Sequence, residues 1–477
     1  MMKKRKQSIM FFIFILLCSS LYQATIPALN QTNPTLNNDT LTNECFTSSL
    51  SRLKDDGLFE MDYEQVYFPG VFDSRFHYLG GSEIMHLTTH KGKLYAGNGY
   101  WHDYLFGLFT GAQVLVKEGP NEPWRQDYSF RLLGRIGDLE SITFTTDRYG
   151  NVLDEPVTLL IASPQVFPDQ NKATAWVRDD ERGTWFKTII ADNVSEKPYA
   201  RMMIDHVDNV TGVHHIFAGL ASSALYRGGY DPQVPGYIVW DPVPELTGSE
   251  RIHSGAVANG DLYVTIRTNG NHSDDDGGLY RRIDGPDPSW EFIYEWDDHP
   301  KKHPGMRGLT ALSHPEDEEK EILLGALRST GCIYVIDPFD NHSVSVDFDY
   351  RLYFTDLWDG WTYNVTLAAY NDMTHFVLPD SGESVLLIGL WVTHPEAKNI
   401  PYNGGWYLIR YPDGSYKHGY VYDDDNPVKK GETLRGVRTI TVSPFLEESS
   451  DVLYFGGYDA AGRFHHNTAW VYKGIFP

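Results

Sequence analysis

Seven polar residues recur at one position of a repeated pattern, the start of the strand that precedes each copy of a glycine-containing phrase. They are His86, Glu140, Arg201, His253, Arg307, Asp372 and Arg438. If they surround one axis, the arginines could clamp a carboxylated ligand and a histidine could act as acid or base. The alternative is a wet channel whose polar side chains pair with one another. Arg307 and Arg438 are the strongest members, because HPGMRGLTAL and LRGVRTITV approach the strand in a similar way.

Two acidic loops are a second candidate for binding chemistry. Residues 271–278 (NHSDDDGG) and 422–427 (YDDDNP) each present three consecutive carboxylates. Oxygen-rich loops of this kind can bind Ca²⁺, which makes calcium the one cofactor that the sequence suggests. Neither loop has the ligand spacing of an EF-hand, and solvated turns are the simpler interpretation.

Histidines are a third candidate, in the adjacent pairs His214-His215 and His465-His466. Neighbouring side chains on a strand point to opposite faces, so such pairs are poor chelators by themselves. A zinc site assembled from separate strands stays open, and no metal ligands are assigned. No G-x-S-x-G sequence marks a serine nucleophile, so the catalytic residues are also unknown.

Two alternating phrases organise the chain around these residues. The first, a run of aliphatic or tyrosine residues followed by small ones, starts at Leu94, Leu159, His215, Asp261, Ile322, Leu386 and Leu453. The second, an aliphatic and aromatic strand, starts at Ala112, Thr174, Ser223, Gly277, Gly331, Gly404 and Thr468. In the clearest copies a turn then leads to a tryptophan-led strand, as at Trp124, Trp185 and Trp290.

With the strand before each glycine phrase, every unit has four short strands and repeats at roughly 45–65 residues. This organisation predicts an all-β fold, a single seven-bladed β-propeller with four-stranded blades over residues 62–477; an irregular two-domain β protein is the alternative. The last unit ends at its third strand, so an N-terminal strand must join the C-terminal blade to close the ring. Residues 73–80 (DSRFHYLG) are predicted to be that strand, because they match 127–134 (DYSFRLLG).

The pattern resembles the kelch, sialidase-like and WD-repeat propellers. Residues 180–185 (DERGTW) are similar to a shortened Asp-box turn of sialidase-like propellers, without its usual spacing. Three dipeptides superficially resemble WD repeats: Trp240-Asp241, Trp296-Asp297 and Trp358-Asp359. The resemblance implies the fold, in which the first strand of each blade lines a central channel. It identifies no single family, and no catalytic set carries over.

The N-terminus predicts secretion. Residues 1–24 have a basic cluster, a short apolar run and a polar end, typical of a cleaved signal peptide, with an uncleaved anchor as the alternative. Residues 25–61 are predicted to be an Asn/Thr/Ser-rich spacer. Seven glycan acceptor triplets fit an extracellular glycoprotein: Asn30, Asn38, Asn193, Asn209, Asn271, Asn341 and Asn364.

Charge and cysteine content limit the partners. The chain carries a net charge of −24, and signal cleavage would remove four positive charges to give −28, which argues against a nucleic-acid partner. No membrane span is expected after cleavage, and a monomer is expected. Cys45 and Cys332 could form one disulfide or remain two thiols.

These observations favour a secreted propeller that binds an extracellular ligand, a carbohydrate or another small anionic molecule, at the mouth of its channel. Exposed aromatic residues in 98–109 and 390–406 would suit sugar rings, or could pack between blades. One alternative is a glycan-active enzyme, a uronate lyase or glycoside hydrolase, in which arginine neutralises the carboxylate. Another is a protein-binding scaffold, which would present a broad apolar face.

Overall fold

The computed structural model describes fourteen segments of the chain. They are residues 53–100, 110–131, 133–166, 171–194, 197–222, 224–248, 251–267, 278–295, 306–327, 331–357, 367–391, 405–421, 436–458 and 467–477. Side chains are described throughout these segments except at 53–58, 133, 166 and 367–372. Within these segments no helix has the length and apolar character needed to cross a membrane.

The described chain is built almost wholly of strands, which confirms the all-β prediction. Four strands come first: β1 (Leu53–Phe59), β2 (Asp62–Tyr67), β3 (Val71–Phe72) and β4 (Tyr78–Leu79). β3 and β4 pair with each other as a short antiparallel hairpin. The remaining strands form antiparallel units, numbered here in chain order.

Units 1 to 3 are meanders of consecutive strands. Unit 1 contains β5 (Glu83–His90), β6 (Lys93–Gly99), β7 (Ala112–Lys117) and β8 (Arg125–Phe130). Unit 2 contains β9 (Leu133–Thr146), β10 (Val152–Val166), β11 (Ala173–Asp179) and β12 (Thr184–Ala191). Unit 3 contains β13 (Ala200–Val207), β14 (His214–Leu220), β15 (Ala224–Tyr230), β16 (Ile238–Trp240) and β17 (Leu246–Thr247), the last two both pairing with β15.

Units 4 to 7 repeat this arrangement. Unit 4 contains β18 (Ile252–Ala258), β19 (Asp261–Ile266), β20 (Gly278–Ile283) and β21 (Ser289–Glu295). Unit 5 contains β22 (Met306–His314), β23 (Asp317–Leu327), β24 (Cys332–Asp337) and β25 (Ser343–Asp349), followed by helix α1 (Tyr350–Leu357). Unit 6 contains β26 (Leu367–Val377), β27 (Ser384–Trp391), β28 (Gly405–Arg410) and β29 (Tyr416–Val421). Unit 7 contains β30 (Gly436–Val442), β31 (Val452–Tyr458) and β32 (Ala469–Ile475), with β2 as its fourth strand.

The two recurring phrases of the sequence form the second and third strands of the units. These strands are apolar nearly throughout, and β7 and β31 are buried at every residue. The fourth strand carries the opposite pattern, since β21 is exposed or half-buried along its length. A continuous apolar run indicates a strand covered on both faces, and a polar alternating run indicates one at an edge.

The hydrophobic core is divided among the gaps between units. Each of seven clusters of buried side chains joins two successive units, and one of them joins unit 7 to unit 1. The first strands also follow one another, because β5, β9, β13, β18, β22, β26 and β30 contact in that order and β30 contacts β5. Trp290 packs at one of these gaps, against the cluster that joins units 3 and 4.

The N-terminal strand that pairs with β32 is β2, so the prediction of residues 73–80 for this role is wrong. Asp62 lies opposite Ile475, and the buried Tyr67 lies opposite Val471. Residues 73–80 instead begin with a turn, in which the carboxylate of Asp73 accepts hydrogen bonds from backbone N–H groups farther along the same segment. Aspartate favours turns through such local bonds, which compete with a strand ladder.

β1 lies inside the range 25–61 that the composition assigns to a spacer. It pairs in parallel with β29, the fourth strand of unit 6, and so covers the edge of that unit. Residues 1–52, and with them the predicted signal peptide, Asn30, Asn38 and Cys45, lie outside the described residues. Cys332 is buried on β24.

Candidate functional site

Every member of the predicted polar column lies on the first strand of its unit. His86 is on β5, Glu140 on β9, Arg201 on β13, His253 on β18, Arg307 on β22, Asp372 on β26 and Arg438 on β30. The arginines and histidines among them are buried, and Glu140 is half-buried. The side chain of Asp372 lies outside the described residues.

Six arginines form a cluster near the beginnings of these strands and, for Arg267, at the end of the second strand β19. They are Arg135, Arg201, Arg251, Arg267, Arg307 and Arg438, named here the arginine cluster. Burial, followed by the positive charges of Arg135, Arg438 and Arg307, lowers the pKa of Arg201 to about 9. Burial is the larger cause, and the neighbouring guanidinium groups add to it, although the whole chain is acidic.

The two buried histidines, His253 and His86, have lowered pKa values for the same reasons, burial and the nearby arginines. Burial, and then the charges of Arg307, Arg201, Arg251 and Arg267, hold the pKa of His253 well below its usual value. Burial and the charge of Arg201 lower the pKa of His86 to about 3. Both imidazoles are therefore neutral at physiological pH.

A carboxylate, Glu83, lies within the arginine cluster. Its Oε2 accepts a hydrogen bond of 2.6 Å from the NH2 group of Arg438, and its Oε1 lies 3.5 Å from NH1 of Arg135. The guanidinium of Arg438 also lies over the ring of Tyr458, 4.6 Å from its centroid. Glu83 thus neutralises one of the six charges and holds Arg438 in place.

Two polar atoms in this region have no hydrogen-bond partner among the described residues. They are Nε2 of His253, whose side chain belongs to a residue only 8% exposed, and Nε of Arg251. Buried polar groups in native proteins nearly always have a partner in the protein, solvent or a ligand. Solvent or a bound polar molecule could supply the partner of each atom.

Tyr199, just before β13, has an unusual environment for a phenol. Burial acts to raise its pKa, but the charges of Arg135, Arg201 and Arg251 and a hydrogen bond from Arg135 outweigh burial, and the net effect lowers the pKa. The phenolate form is thus stabilised here. Such a group can take up and return a proton.

The first strands enclose a cavity of about 260 Å³ next to the arginine cluster. Its polar wall is formed by His86, Asp138, Glu140, Arg201, Asp205 and His253. Pockets for drug-sized molecules usually measure ~300–1,000 Å³. The cavity therefore suits a ligand no larger than about one sugar ring.

One side of the cavity brings a histidine and two carboxylates together. The donor atoms of His86, Asp138 and Glu140 lie within 4.8 Å of one another. Nδ1 of His86 is 3.4 Å from Oδ1 of Asp138, and Nε2 of His86 donates to the carbonyl oxygen of Gly137 at 3.0 Å. Nitrogen and carboxylate donors at this separation could hold a metal ion.

The other predicted candidates lie elsewhere or outside the described residues. The acidic loops, except for Gly278, and His465-His466 belong to the undescribed part, as do Asn271 and Asn364. Nε2 of His214 pairs with Asp205 at 2.9 Å, and burial lowers the pKa of His215 to about 4, with Arg227 as the next cause. Three acceptor asparagines are exposed in turns: Asn193, Asn209 and Asn341.

Sequence reasoning missed part of the site. The missed members are Glu83, Arg135, Asp138, Tyr199, Arg251 and Arg267. The sequence contains a signal for two of them. Tyr199 lies two residues before Arg201, and Arg251 lies two residues before His253. Side chains two residues apart on a strand share a face, so the search for polar residues should have extended by one such step.

No protein-family model matches the chain, and no curated protein matches it significantly. Among solved structures, the chain resembles a crystal structure of BBS1N in complex with ARL6DN, soaked with lead. The identity is 11% and the TM-score 0.45, over 87% of this chain and 97% of that one. A likeness of this degree says nothing about what the present chain binds.

Proposed function

We propose that the protein is a secreted glycoprotein with a seven-bladed β-propeller fold, whose central channel binds a small anionic ligand of the carboxylated-sugar class. The seven units are the blades, the first strands line the channel, and β2 closes the ring by completing the blade that ends with β32. The cyclic contacts of the first strands and the hydrophobic cluster between units 7 and 1 support this architecture.

The observation that carries the ligand proposal is the arginine cluster. Burying charged groups without compensation costs several kcal/mol each, so a fold does not gather guanidinium groups in its interior without an anion. Glu83 pairs directly with Arg438, and the carboxylates of Asp138, Glu140 and Asp205 line the cavity beside Arg201. The charges of Arg135, Arg438 and Arg307 nevertheless add to burial in lowering the pKa of Arg201, which supports a site for a further anion. A carboxylate bound by two N–H groups of one guanidinium would relieve this repulsion.

The size of the cavity and the neutral histidines narrow the class of ligand that the site would bind. About 260 Å³ accommodates one sugar ring, and neutral His253 can donate to or accept from a hydroxyl. A uronate monosaccharide offers both groups, a carboxylate for arginine and hydroxyls for the cavity wall.

Replacing Arg201 by glutamine is expected to weaken binding of galacturonate by roughly 10- to 100-fold, since one charge-assisted interaction of about 1.5–3 kcal/mol is lost. Isothermal titration calorimetry with galacturonate and glucuronate measures the change, with galactose as the neutral sugar. Arg281→Gln is the matched control, because Arg281 lies on the third strand of unit 4 and pairs with Glu291 at 2.6 Å.

The proposal predicts that the wild-type protein prefers galacturonate to galactose and that Arg281→Gln keeps this preference. Equal binding of the charged and the neutral sugar, or unchanged galacturonate binding by Arg201→Gln, would contradict it.

Tyr199 favours a second candidate function, a uronate lyase. In β-elimination, a base removes the proton from the carbon next to the carboxylate, and the bond from the adjacent carbon to the glycosidic oxygen breaks. The leaving oxygen takes up a proton, and an unsaturated uronate remains. Tyr199 as phenolate could remove the proton, with arginine stabilising the charge that develops on the carboxylate.

Lyase activity is expected to produce ultraviolet-absorbing unsaturated ends when the protein is incubated with polygalacturonate or another uronate polymer. Tyr199→Phe keeps the ring and removes the acidic hydroxyl, so the rate should fall at least 100-fold while galacturonate binding changes less than fivefold. Absence of unsaturated ends with every uronate polymer tested, while galacturonate still binds, would leave binding alone as the function.

A further inference from the structure

We propose that His86, Asp138 and Glu140 form a site for a divalent transition-metal ion of the Zn²⁺ class on the wall of the central cavity. Arg201 of the arginine cluster lines the same cavity, but none of the three donors is an arginine, and the metal site does not depend on the ligand proposed for the cluster. Its three donors come from the first strands of two adjacent units, β5 and β9.

The spacing of the donors fits one ion. Two ligands bound at about 2.1 Å in a tetrahedral arrangement lie about 3.4 Å apart. Nδ1 of His86 and Oδ1 of Asp138 are 3.4 Å apart, and one ligand atom from each of His86, Asp138 and Glu140 lies within 4.8 Å of the other two. A small rotation of the half-buried Glu140 side chain would bring its oxygen to the same ion.

The hydrogen bonds around the donors orient them in the way that metal ligands usually require. The carbonyl oxygen of Gly137 can only accept, so Nε2 of His86 carries the proton and Nδ1 presents its lone pair toward Asp138. Two acceptors that face each other in this way are stabilised by a cation between them. Metal-bound histidines almost always donate their other N–H to a carbonyl or carboxylate.

Asp138 is fixed as firmly as His86. Its Oδ1 accepts the backbone N–H of Leu139 at 3.0 Å, and its Oδ2 accepts the backbone N–H of Met203 on the next unit. The carboxylate therefore has a set position on the cavity wall. Fixed ligands reduce the entropy lost when an ion binds.

A further polar group that could bind a ligand lies at the same cavity. Nε2 of His253 has no hydrogen-bond partner among the described residues, and His253 lines the same cavity from another strand, β18. A molecule that completes the coordination of the ion could receive or donate a hydrogen bond there. The metal would then be the inner attachment point of a ligand whose outer end meets Arg201.

The donor types select the class of ion. Ca²⁺ and Mg²⁺ prefer oxygen ligands throughout, whereas imidazole nitrogen together with carboxylate suits Zn²⁺ and its first-row neighbours. Two carboxylates balance the double charge of the ion, which lets it sit beside arginines. Three protein ligands with open positions toward a cavity are typical of metal sites that also bind an exogenous molecule.

In the test, the full chain is first treated with EDTA to remove bound metal. Zn²⁺ alone is then titrated into the protein, and isothermal titration calorimetry measures the binding. We expect one Zn²⁺ per chain at this site and an affinity at least tenfold lower in Glu140→Gln, which keeps size and shape. Co²⁺ in place of Zn²⁺ should give visible absorption bands of low-symmetry N/O coordination in the wild type, and these should disappear in His86→Ala.

Asp241→Asn is the matched control, since Asp241 is a carboxylate that pairs with Arg227 at 2.8 Å and belongs neither to the cavity lining nor to the group of three. It should bind Zn²⁺ as the wild type does. Circular dichroism shows whether His86→Ala folds. If it does not, the Zn²⁺ affinity of Glu140→Gln alone decides whether the metal site exists. Wild-type Zn²⁺ binding that Glu140→Gln leaves unchanged, or no stoichiometric Zn²⁺ binding, would overturn the metal site.

The two proposals can fail separately. Galacturonate is titrated into EDTA-treated protein to test the arginine cluster, and Zn²⁺ is titrated without sugar to test the three donors. Loss of Zn²⁺ binding in Glu140→Gln with intact Zn²⁺ binding in Arg201→Gln supports the metal site whatever the outcome with galacturonate.

Discussion

Replacing Arg282 by methionine is expected to lower the free energy of unfolding by about 3–5 kcal/mol. The Arg282 side chain is fully buried on β20 and pairs with Glu245 at 2.7 Å and Asp208 at 2.8 Å, and with Asp284 at shorter range. Methionine fills most of the volume but leaves three carboxylates without their common cation. Urea unfolding at pH 7.5, followed by tryptophan fluorescence, measures the difference.

Arg182→Met is the control for the loss of an arginine. Arg182 pairs with Asp179 at 3.0 Å, but its side chain is 69% exposed, so water screens the pair and a change below about 1 kcal/mol is expected. An equally small change for Arg282→Met would show that the buried network does not stabilise the contact between units 3 and 4.

Acidification from pH 6.5 to 4.5 is expected to lower the free energy of unfolding by an amount on the order of 5 kcal/mol. Three buried histidines outside the proposed metal site carry most of this effect, His253, His215 and His418, because burial first of all lowers the pKa of each one, to about 4 for the last two. His86, whose pKa burial lowers to about 3, adds to it. In the unfolded chain each would titrate near its ordinary value of about 6.5.

The direction of this change in stability follows from the number of protons bound by the folded and the unfolded chain. Below pH 6.5 the unfolded chain binds protons that the folded protein does not, so stability is complete above that pH and is lost as the pH falls toward the folded pKa. Each histidine contributes up to about 1.4 kcal/mol per pH unit in this window.

Urea unfolding at pH 7.5, 6.5, 5.5 and 4.5 tests this dependence. His418→Gln should be less stable at pH 7.5 but should lose stability less steeply below pH 6.5, since one of the three titrating groups is gone. His77→Gln, which replaces a histidine whose side chain is 44% exposed, is the control and should keep the wild-type slope. Parallel slopes for wild type and His418→Gln would rule out this histidine as a source of acid lability.

The strand organisation could be predicted from sequence because it is repeated. A strand buried on both faces is mostly apolar, so Leu94 and Leu453 begin the same phrase in distant units. The column of first-strand residues followed from aligning those phrases. Its arginines and histidines lie on the strands where the alignment places them.

The composition of the site could not be predicted in full, because proximity across units is set by the tertiary fold. Arg267 directly follows β19, the second strand of unit 4, and joins the cluster because its backbone N–H donates to the carbonyl oxygen of Arg251 at 2.9 Å. Asp138 was missed because the alignment marked Glu140, two residues later on the same strand face. The closing strand was misassigned because similarity between 73–80 and 127–134 does not report the backbone bonds that Asp73 makes.

The pairing of β2 with β32 also has a mechanical consequence. The two strands are antiparallel, and Asp62 and Ile475 lie at the same end of the pair. A force that separates these two residues would break the interstrand hydrogen bonds one after another, starting from that end. A force between Asp62 and Ala469, at opposite ends, would load all of them at once in shear. The pairing between β2 and β32 is therefore weak when Asp62 and Ile475 are pulled apart and strong when Asp62 and Ala469 are pulled apart.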